Sequence, residues 1–503
     1  MLGHLAPRGL RGQFGSLLVV LVGAALLLSG APPAKAQAAR ANGPNVLFIG
    51  VDDLNDWIGP LGGHPQALTP NMDRVAARGV TFTRAYCQAP SCNPSRTSLM
   101  TGLRPSTTGV YGNRHAWRRA LPDAVTLPQH FMLHGYEVLG GGKTFHGPQN
   151  EAASWEAYYQ FKGFLHPPET PVNGIPRTAH FDWGGLSARV ADTADTRLAA
   201  WAEAYLREEH SRPFFLAVGF YRPHLPWYAP QEHFDRFPAS RTELPSTLEG
   251  DTEDVPKSAL RSFRDHENVT KHGQWRKAVA GYLACINYAD SNVGRVLDAL
   301  ESGPNAGNTV VVLWSDHGWQ LGEKSQWRKF TLWERSARVV MILAGPGVAA
   351  RGRKSGRTVE LLDLYPTLLD LAGLPTRQEL EGRSLRTLLS DPDAEWDKPA
   401  ITSLGPEQVS VRTERWRYSM HPDGEELYDN AADPMEWNNL ADAPEHAAVK
   451  ASLKDMLPRD PAPPATVMFS DLPEDERRLA DVDEGRFRPS DPSNYVPLKE
   501  SLF

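Results

Sequence analysis

A cysteine and an arginine stand four positions apart in a segment that predicts the start of a helix. Residues 91–96 read SCNPSR, and the segment continues to Thr101-Gly102. Proline suits the first turn of a helix and glycine suits its end, so Cys92 is expected at a helix N-terminus, where backbone N–H groups favour an anion. The charge of Arg96 points to the same place. The segment therefore predicts a reactive side chain beside an oxyanion site, with a half-buried structural cysteine as the alternative.

Two pairs of potential metal ligands follow predicted strands. Asp52-Asp53 comes after the apolar run Asn45–Val51, and Asp316-His317 comes after residues 309–314. Open α/β sheets bind ligands at the carboxyl ends of their strands, so the four side chains are expected to meet there. Three carboxylates suit a hard divalent cation such as Ca²⁺, although the imidazole would also tolerate Mn²⁺ or Zn²⁺. The alternative is a pair of solvated loop acids at each place.

Lysines and histidines at three further places could stabilise charge or transfer protons. Lys143 and His146 lie three positions apart near the end of a predicted strand, His224 lies between two prolines, and Lys329 lies downstream of Asp316. A reaction that builds negative charge on both nucleophile and leaving oxygen needs such cations. Taken alone, Lys143 and Lys329 are more typical of solvated surface lysines, His146 of a hydrogen-bonded histidine and His224 of a turn residue.

The segment around Cys92 is similar to a known signature. Cys-x-Pro-Ser-Arg at residues 92–96, continuing into Thr-Gly-x-x-Pro at residues 101–105, resembles the type I sulfatases, in which this cysteine is oxidised to formylglycine. The resemblance runs in order from Asn45 to about Asn439 and is closest to the iduronate 2-sulfatases. It implies a Ca²⁺-dependent enzyme that hydrolyses O-sulfate esters of carbohydrates, with 2-O-sulfated uronic acids of polysaccharides as substrates.

The resemblance also implies roles for individual residues. The hydrated aldehyde at position 92 attacks sulfur with one hydroxyl and releases sulfate when the second loses a proton, a route closed to serine or thiolate. Lys143, His224 and Lys329 would bind sulfate, His146 would be the base and His224 the general acid. The implied catalytic set is Cys92, Arg96, Lys143, His146, His224 and Lys329, and the implied metal ligands are Asp52, Asp53, Cys92, Asp316 and His317. A formylglycine-generating enzyme would be the partner during maturation.

Two other functions remain open at this stage. A phosphate or phosphonate monoester hydrolase of the same fold would share the metal site, and a non-catalytic sulfoglycan-binding protein would keep Cys92 as a thiol. Next to the signature, Trp117-Arg118-Arg119 is predicted to meet neighbouring anionic sugars or to form a surface turn.

Strand and helix patterns alternate along the chain and predict an α/β fold. Apolar runs predict strands at Asn45–Val51 and at residues 214–218, 309–314 and 339–343, and helical patterns span residues 192–208, 275–300 and 361–372. The resemblance implies an alkaline-phosphatase-like, mostly parallel sheet flanked by helices. We expect a catalytic domain over residues 37–390 and a smaller α+β domain over residues 391–503, with a hairpin around residues 421–424, an antiparallel sheet and an extended tail.

The charge, the N-terminal segment and the cysteines indicate the class of protein and its cellular location. The 503 residues carry 53 basic and 60 acidic side chains, a net charge of −7 without a long basic run, which argues against nucleic-acid binding. Residues 1–36 combine arginines, a short apolar run and Ala-Lys-Ala, which predicts a cleaved signal peptide and a periplasmic or extracellular protein without stable membrane insertion. An uncleaved anchor is the alternative. Cys87 and Cys285 either pair or remain buried free thiols.

Overall fold

The apolar run Asn45–Val51 forms a strand at the centre of a nine-stranded sheet in a computed structural model of the protein. The structure describes residues 43–146, 151–160, 165–176 and 180–472. The predicted signal peptide and the predicted C-terminal tail lie outside the described residues, and both stay predictions.

The described residues contain seventeen strands, numbered here in chain order. They are β1 (Asn45–Val51), β2 (Gly79–Tyr86), β3 (Glu137–Gly142), β4 (Ala157–Tyr159), β5 (Trp183–Leu186), β6 (Phe214–Phe220), β7 (Trp227–Pro230), β8 (Thr309–Ser315), β9 (Gln320–Leu321), β10 (Trp327–Arg328), β11 (Arg338–Val339), β12 (Met341–Ala344), β13 (Arg353–Glu360), β14 (Ala400–Gly405), β15 (Gln408–Arg412), β16 (Trp416–His421) and β17 (Gly424–Asp429). The central sheet has the order β11-β2-β12-β8-β1-β6-β3-β4, and β13 pairs with β2. Strands β8, β1, β6, β3 and β4 are parallel to one another, so their carboxyl ends share one edge, whereas β12 lies antiparallel to β8 on its other side. A mostly parallel α/β sheet is thus confirmed.

The same residues contain thirteen α-helices. They are α1 (Pro70–Arg78), α2 (Cys92–Thr101), α3 (Pro105–Thr108), α4 (Trp117–Ala120), α5 (Leu127–Leu133), α6 (Ala194–Leu206), α7 (Gln231–Phe234), α8 (Asp265–Lys271), α9 (Trp275–Ser302), α10 (Glu334–Ala337), α11 (Leu364–Ala372), α12 (Arg386–Ser390) and α13 (Ala447–Lys454). The three helices predicted from the sequence correspond to α6, α9 and α11, and their bounds agree within about three residues, the usual uncertainty of a helix end.

Alternate residues of β1 enter two separate apolar cores. Leu47 and Ile49 pack in a cluster with side chains of α1, α6 and α9, whereas Val46 and Phe48 pack with α2, α5 and α11. Successive side chains of a strand point to opposite faces, so a strand covered by helices on both faces must be apolar throughout. This is why β1 reads as an unbroken apolar run.

The predicted strand at residues 339–343 is partly wrong. The segment forms two short strands, β11 and β12, which are separated by Val340 and lie antiparallel to β2. Val340 leaves the ladder because its N–H donates to the Ser315 hydroxyl at 2.9 Å and its carbonyl accepts from the Ser315 N–H at 3.1 Å. An apolar run alone does not reveal such an interruption.

The predicted C-terminal hairpin is confirmed. Strands β16 and β17 pair antiparallel within the four-stranded sheet β14-β15-β16-β17. The buried Arg417 of β16 binds Glu334 of α10 and Glu436, each at 2.5 Å, so this sheet is held against the rest of the described chain by buried ion pairs. The expected domain boundary at residue 390 stays a prediction.

Cys87 and Cys285 are buried free thiols, so the alternative of a disulfide between them is not realised. They belong to apolar clusters on opposite faces of the central sheet. Within the described ranges, no helix combines the length and apolar character needed to cross a membrane.

Candidate active site

Four neighbouring parallel strands bring ionisable side chains to one edge of the central sheet. Strand β1 is followed by Asp52-Asp53, β8 by Asp316-His317 and β3 by Lys143, while β6 leads into the loop of His224. The spatial order of these strands is β8-β1-β6-β3, so their carboxyl ends are adjacent. The structure thus brings together the residues that the sequence predicts at these strand ends.

Helix α2 begins at Cys92, as predicted. Every residue of α2 is buried, and Gly102 ends the helix with a φ of 74°, in the left-handed region that favours glycine. Asn113 accepts hydrogen bonds from the Ser91 hydroxyl at 2.7 Å and from the Asn93 N–H at 2.9 Å. Asn113 therefore fixes the position of Cys92, although nothing in the sequence motif marks it.

The Cys92 sulfur is surrounded by basic groups. Its Sγ lies 2.9 Å from Lys329 Nζ, 3.3 Å from His317 Nε2 and 3.6 Å from Lys143 Nζ. Burial on its own would raise the pKa of the thiol, but the two ammonium groups lower that pKa well below its ordinary value. Position 92 therefore favours a negatively charged or strongly polarised nucleophile.

Arg96 organises the acidic residues behind the nucleophile. Its Nη2 lies 2.8 Å from Asp52 Oδ1 and its Nε lies 2.9 Å from Asp316 Oδ2, and all three side chains are buried. Its Nη1 donates to the backbone carbonyls of Lys143 and Thr144. Burial opposes ionisation of Asp316, yet the guanidinium holds the pKa of this carboxyl well below its usual range. Arg96 therefore connects α2 with the ends of three strands, which makes it a positioning residue.

Asp53 has a φ of 59°, a conformation that residues other than glycine rarely adopt. Its N–H donates to Asp316 Oδ1 at 3.1 Å, and its carbonyl accepts from the Tyr282 hydroxyl at 2.8 Å. Backbone strain of this kind persists only where the surroundings fix it, and it clusters at functional sites. Tyr282 of α9 is thus a second positioning residue that sequence reasoning missed.

The acidic side chains lie close enough together to bind one divalent cation. Ligand atoms of Asp53, Cys92, Asp316 and His317 all lie within 4.8 Å of one another, and those of Asp52, Asp53, Cys92 and His224 form a second such group. Asp53 Oδ2 is buried and has no hydrogen-bond partner among the residues that the structure describes. A buried carboxylate oxygen of this kind needs a partner, and carboxylate oxygens are the ligands that Ca²⁺ prefers. The donor set therefore fits a hard cation.

His224 and His146 complete the site. The Nε2 of His224 lies 3.7 Å from Asp53 Oδ2, and its side chain remains 24% exposed. Its Nδ1 lies 2.6 Å from the carbonyl oxygen of Leu225, which assigns the proton to Nδ1 in the neutral ring and directs Nε2 to the site. Burial lowers the pKa of His146, while the neighbouring Cys92 sulfur opposes this effect. A lowered pKa keeps His146 available as a base at neutral pH.

The loop that carries His224 is fixed by a carboxylate that sequence reasoning missed. Asp195 of α6 accepts hydrogen bonds from the backbone N–H groups of Tyr221 at 2.8 Å and Arg222 at 3.0 Å. Arg222 in turn donates to the carbonyl of His224 at 3.0 Å. Because Asp195 binds backbone groups of a distant loop, no local sequence pattern could have indicated it.

The predicted contact of Trp117-Arg118-Arg119 with sugars is wrong for its first two residues. Trp117 is a core residue that stacks on Phe145 with a centroid distance of 5.4 Å. Arg118 donates to the carbonyls of Leu121 and Ala124 and lies 3.1 Å from Glu151. The segment forms the short helix α4, which is closer to the predicted surface turn than to a sugar-binding segment.

Comparison with known proteins places this site among described enzymes. Residues 44–374 match the family model Sulfatase, and residues 322–461 match the model N-sulphoglucosamine sulphohydrolase, C-terminal. The chain is 38% identical over 463 residues to a protein of Formosa agariphila named Sulfatase, covering 88% of this chain and 91% of that protein. It is 28% identical to the iduronate 2-sulfatase of Mus musculus, covering 85% and 97%. A solved 2-O GAG sulfatase superimposes with a TM-score of 0.67 at 25% identity, covering 82% of this chain and 91% of that one.

Proposed function

The chain belongs to the sulfatase family and is a sulfuric ester hydrolase, and from this we propose that it removes 2-O-sulfate from uronic acids through a formylglycine made from Cys92. The observation that carries the proposal is the position of the Cys92 sulfur, within 3.6 Å of both Lys143 Nζ and Lys329 Nζ. The substrate class is supported by the similarity to an iduronate 2-sulfatase and to a 2-O GAG sulfatase. Hydrolysis of carbohydrate sulfate esters is the reaction class that these similarities support.

A formylglycine hydrate at position 92 would supply a nucleophilic hydroxyl and a second hydroxyl whose deprotonation restores the aldehyde. The surroundings of Cys92 fit that group. The same ammonium groups that lower the pKa of the thiol would stabilise an alkoxide in its place. The full burial of the side chain would also protect an aldehyde from other nucleophiles.

Four basic side chains would carry out the other steps of the reaction. Lys143 and Lys329 neutralise the negative charge that grows on the sulfate oxygens and the nucleophile. His146, with its lowered pKa, holds the proton of the second hydroxyl at a ring nitrogen. The partly exposed His224 would act as the imidazolium: Nε2 gives its proton to the leaving alcohol oxygen, while the Nδ1 proton stays on the Leu225 carbonyl.

Asp52, Asp53, Asp316 and His317 would hold Ca²⁺, together with an oxygen of residue 92. When bound, the cation would act as a Lewis acid on a sulfate oxygen. Arg96 keeps two of these carboxylates ionised and oriented through its contacts of 2.8 and 2.9 Å.

The same proposal includes maturation and export. Residues 1–36 have the composition predicted for a cleaved signal peptide, and with such a peptide the chain would act in the periplasm or outside the cell without stable membrane insertion. A formylglycine-generating enzyme would modify Cys92 before or during export.

Peptide mass spectrometry across Cys92, on protein purified from its native host, tests the mechanism. An aldehyde supports it, and an unmodified thiol in catalytically active protein overturns it. Turnover of a 2-O-sulfated uronide, with Cys92→Ala as the inactive control, tests the substrate class. Faster cleavage of an aryl phosphate or phosphonate than of an aryl sulfate would contradict the proposed reaction, and sulfoglycan binding without turnover would indicate a non-catalytic binding protein.

A further inference from the structure

Arg261 is a basic side chain without a carboxylate partner in the part of the chain that the structure describes. No salt bridge to Arg261 is present within the described ranges, whereas Arg264 pairs with Glu267 and Arg328 pairs with Asp265. Arg261 is half-buried, and burial lowers the pKa of its guanidinium with no opposing acid. Burying a cation in part without a counter-ion costs free energy, and binding of an anionic ligand would offset this cost.

A backbone contact connects Arg261 to the active site. Its Nε donates to the carbonyl of Phe330, whose own N–H donates to the carbonyl of Pro90 at 3.0 Å. Pro90 lies two residues before Cys92, and Phe330 directly follows Lys329. The backbone of Phe330 therefore connects the Arg261 guanidinium to Pro90, in the segment that carries Cys92. The side chain of Arg261 remains partly exposed, so a ligand can reach it.

Two aromatic rings continue from the reacting atoms towards solvent. The Phe330 ring centroid lies 5.8 Å from Lys329 Nζ, and the Phe263 ring centroid lies 6.2 Å from that of Phe330. Phe330 is half-buried, whereas Phe263 is 46% exposed, with the Arg328 guanidinium carbon 5.0 Å from its ring centroid. Exposed aromatic rings beside a charged group are typical of a surface that packs against a ligand.

We propose that Arg261, Phe263 and Phe330 form a sugar subsite in which Arg261 binds an oxyanion of the substrate other than the scissile sulfate. The rings pack against the apolar face of the pyranose, and the guanidinium pairs with the carboxylate of the sulfated uronic acid. A planar guanidinium matches the two oxygens of a carboxylate, which gives both affinity and orientation. This inference rests on the proposed function, since it names how that site would select its substrate.

Steady-state kinetics on three substrates separate the possible sources of the oxyanion. The first is a 2-O-sulfated uronide, the second is its carboxyl-reduced counterpart, and the third is an aryl sulfate without a sugar. For Arg261→Met, we expect kcat/KM for the uronide to fall about 10- to 100-fold more than kcat/KM for the aryl sulfate, mainly through KM, as for a lost charge-assisted hydrogen bond. The parent protein should prefer the uronide to its reduced counterpart by a similar factor, and the variant should lose this preference.

Two further variants control for structural effects. Arg264→Met removes a nearby exposed arginine that already has a partner and should change neither preference nor melting temperature. Arg261→Lys keeps the charge without the planar fork and should restore part of the uronide preference. Both comparisons use the full-length mature enzyme with its native modification.

The outcomes separate this inference from the proposed function. If Arg261→Met lowers turnover of all three substrates by one factor, Arg261 only supports Phe330 and the subsite is refuted. If Arg261→Met lowers kcat/KM for the carboxyl-reduced substrate as much as for the uronide, the oxyanion is not the uronate carboxylate and the carboxylate assignment is overturned. If the parent cleaves the aryl sulfate but none of the uronides, the proposed substrate class fails, whatever the variants show.

Discussion

Lys329 Nζ lies 2.9 Å from Cys92 Sγ although 237 positions separate the two residues in the chain. The hairpin of β9 and β10 delivers the lysine, and its neighbours Arg328 and Phe330 have φ values of 70° and 74°. Positive φ at two residues around Lys329 indicates that the fold fixes this segment at some cost in backbone energy. The ammonium group therefore reaches the nucleophile through an imposed backbone conformation.

Replacing Lys329 by methionine should reduce catalysis and leave the fold intact. Loss of one pre-organised cation at a site of developing charge typically lowers kcat by about 10²- to 10³-fold. The measurement is kcat for an aryl sulfate, with melting temperature as a check on folding. Lys277→Met, on the exposed face of α9, is the matched control and should behave like the parent. Equal rates for the two variants would refute a catalytic role for Lys329.

Arg96→Met should destabilise the protein more than any surface change. The substitution leaves Asp52 and Asp316 as buried charges without their shared partner, and breaking a buried ion pair on one side typically costs about 3–5 kcal/mol. Urea denaturation measures the free energy of unfolding. Arg189→Met removes an exposed pair with Asp192 and should leave the free energy of unfolding nearly unchanged, because solvent screens such a pair. Similar losses in both variants would show that Arg96 does not hold the site together.

Local sequence patterns predicted the residues that perform chemistry better than the residues that hold them. Asp52 and Asp316 could be identified because they end apolar strands, and Cys92 because a proline and a glycine mark its helix. Asn113 and Tyr282 could not, since each acts through hydrogen bonds to residues that are close only in the folded chain. Their side chains are ordinary for their elements, so no periodicity distinguishes them.

The strand break at Val340 and the burial of Trp117 were missed for a related reason. Both depend on what packs against the segment: the hydroxyl of Ser315 in one case and the ring of Phe145 in the other. Composition and spacing report only the average environment of a residue type. The strand break at Val340 and the burial of Trp117 therefore become apparent only from the tertiary contacts.

Asp195→Asn should reduce the contribution of His224 to catalysis without removing its side chain. The carboxylate holds the loop of His224 through two backbone N–H groups, and an amide would accept only one of these bonds well. General acid catalysis matters most for poor leaving groups, so kcat should fall about tenfold or more for an alkyl or sugar sulfate and much less for an activated aryl sulfate. His224→Ala should give the same pattern with larger losses. A uniform loss for all leaving groups would contradict the positioning role of Asp195.

Mild acid should destabilise the protein through His130. Burial lowers the pKa of His130 to about 4, and the nearby His134 adds to this effect. The unfolded chain, with an ordinary histidine pKa near 6.5, binds the proton more readily, so stability is complete above about pH 6.5 and declines as the pH falls towards 4. In His130→Phe, we expect a smaller decline of the unfolding free energy over this window. An unchanged pH dependence of chemical denaturation would contradict the assignment.

Removal of divalent cations should lower both activity and melting temperature, and Asp53 should be required for the effect. Without an ion, burial raises the pKa of Asp53 and one of its oxygens lacks a partner in the described part of the chain, so the acidic site is stabilised when a cation binds. A ligand at one hundred times its Kd adds about 2.7 kcal/mol to stability. Scanning calorimetry of chelator-treated protein, with and without added Ca²⁺, should therefore show a rise in melting temperature for the parent that is absent in Asp53→Asn. Asp298→Asn, at an acid 65% exposed on α9, keeps the four proposed ligands and should retain the parental shift. If Ca²⁺ stabilises Asp53→Asn as much as the parent, the cation binds elsewhere.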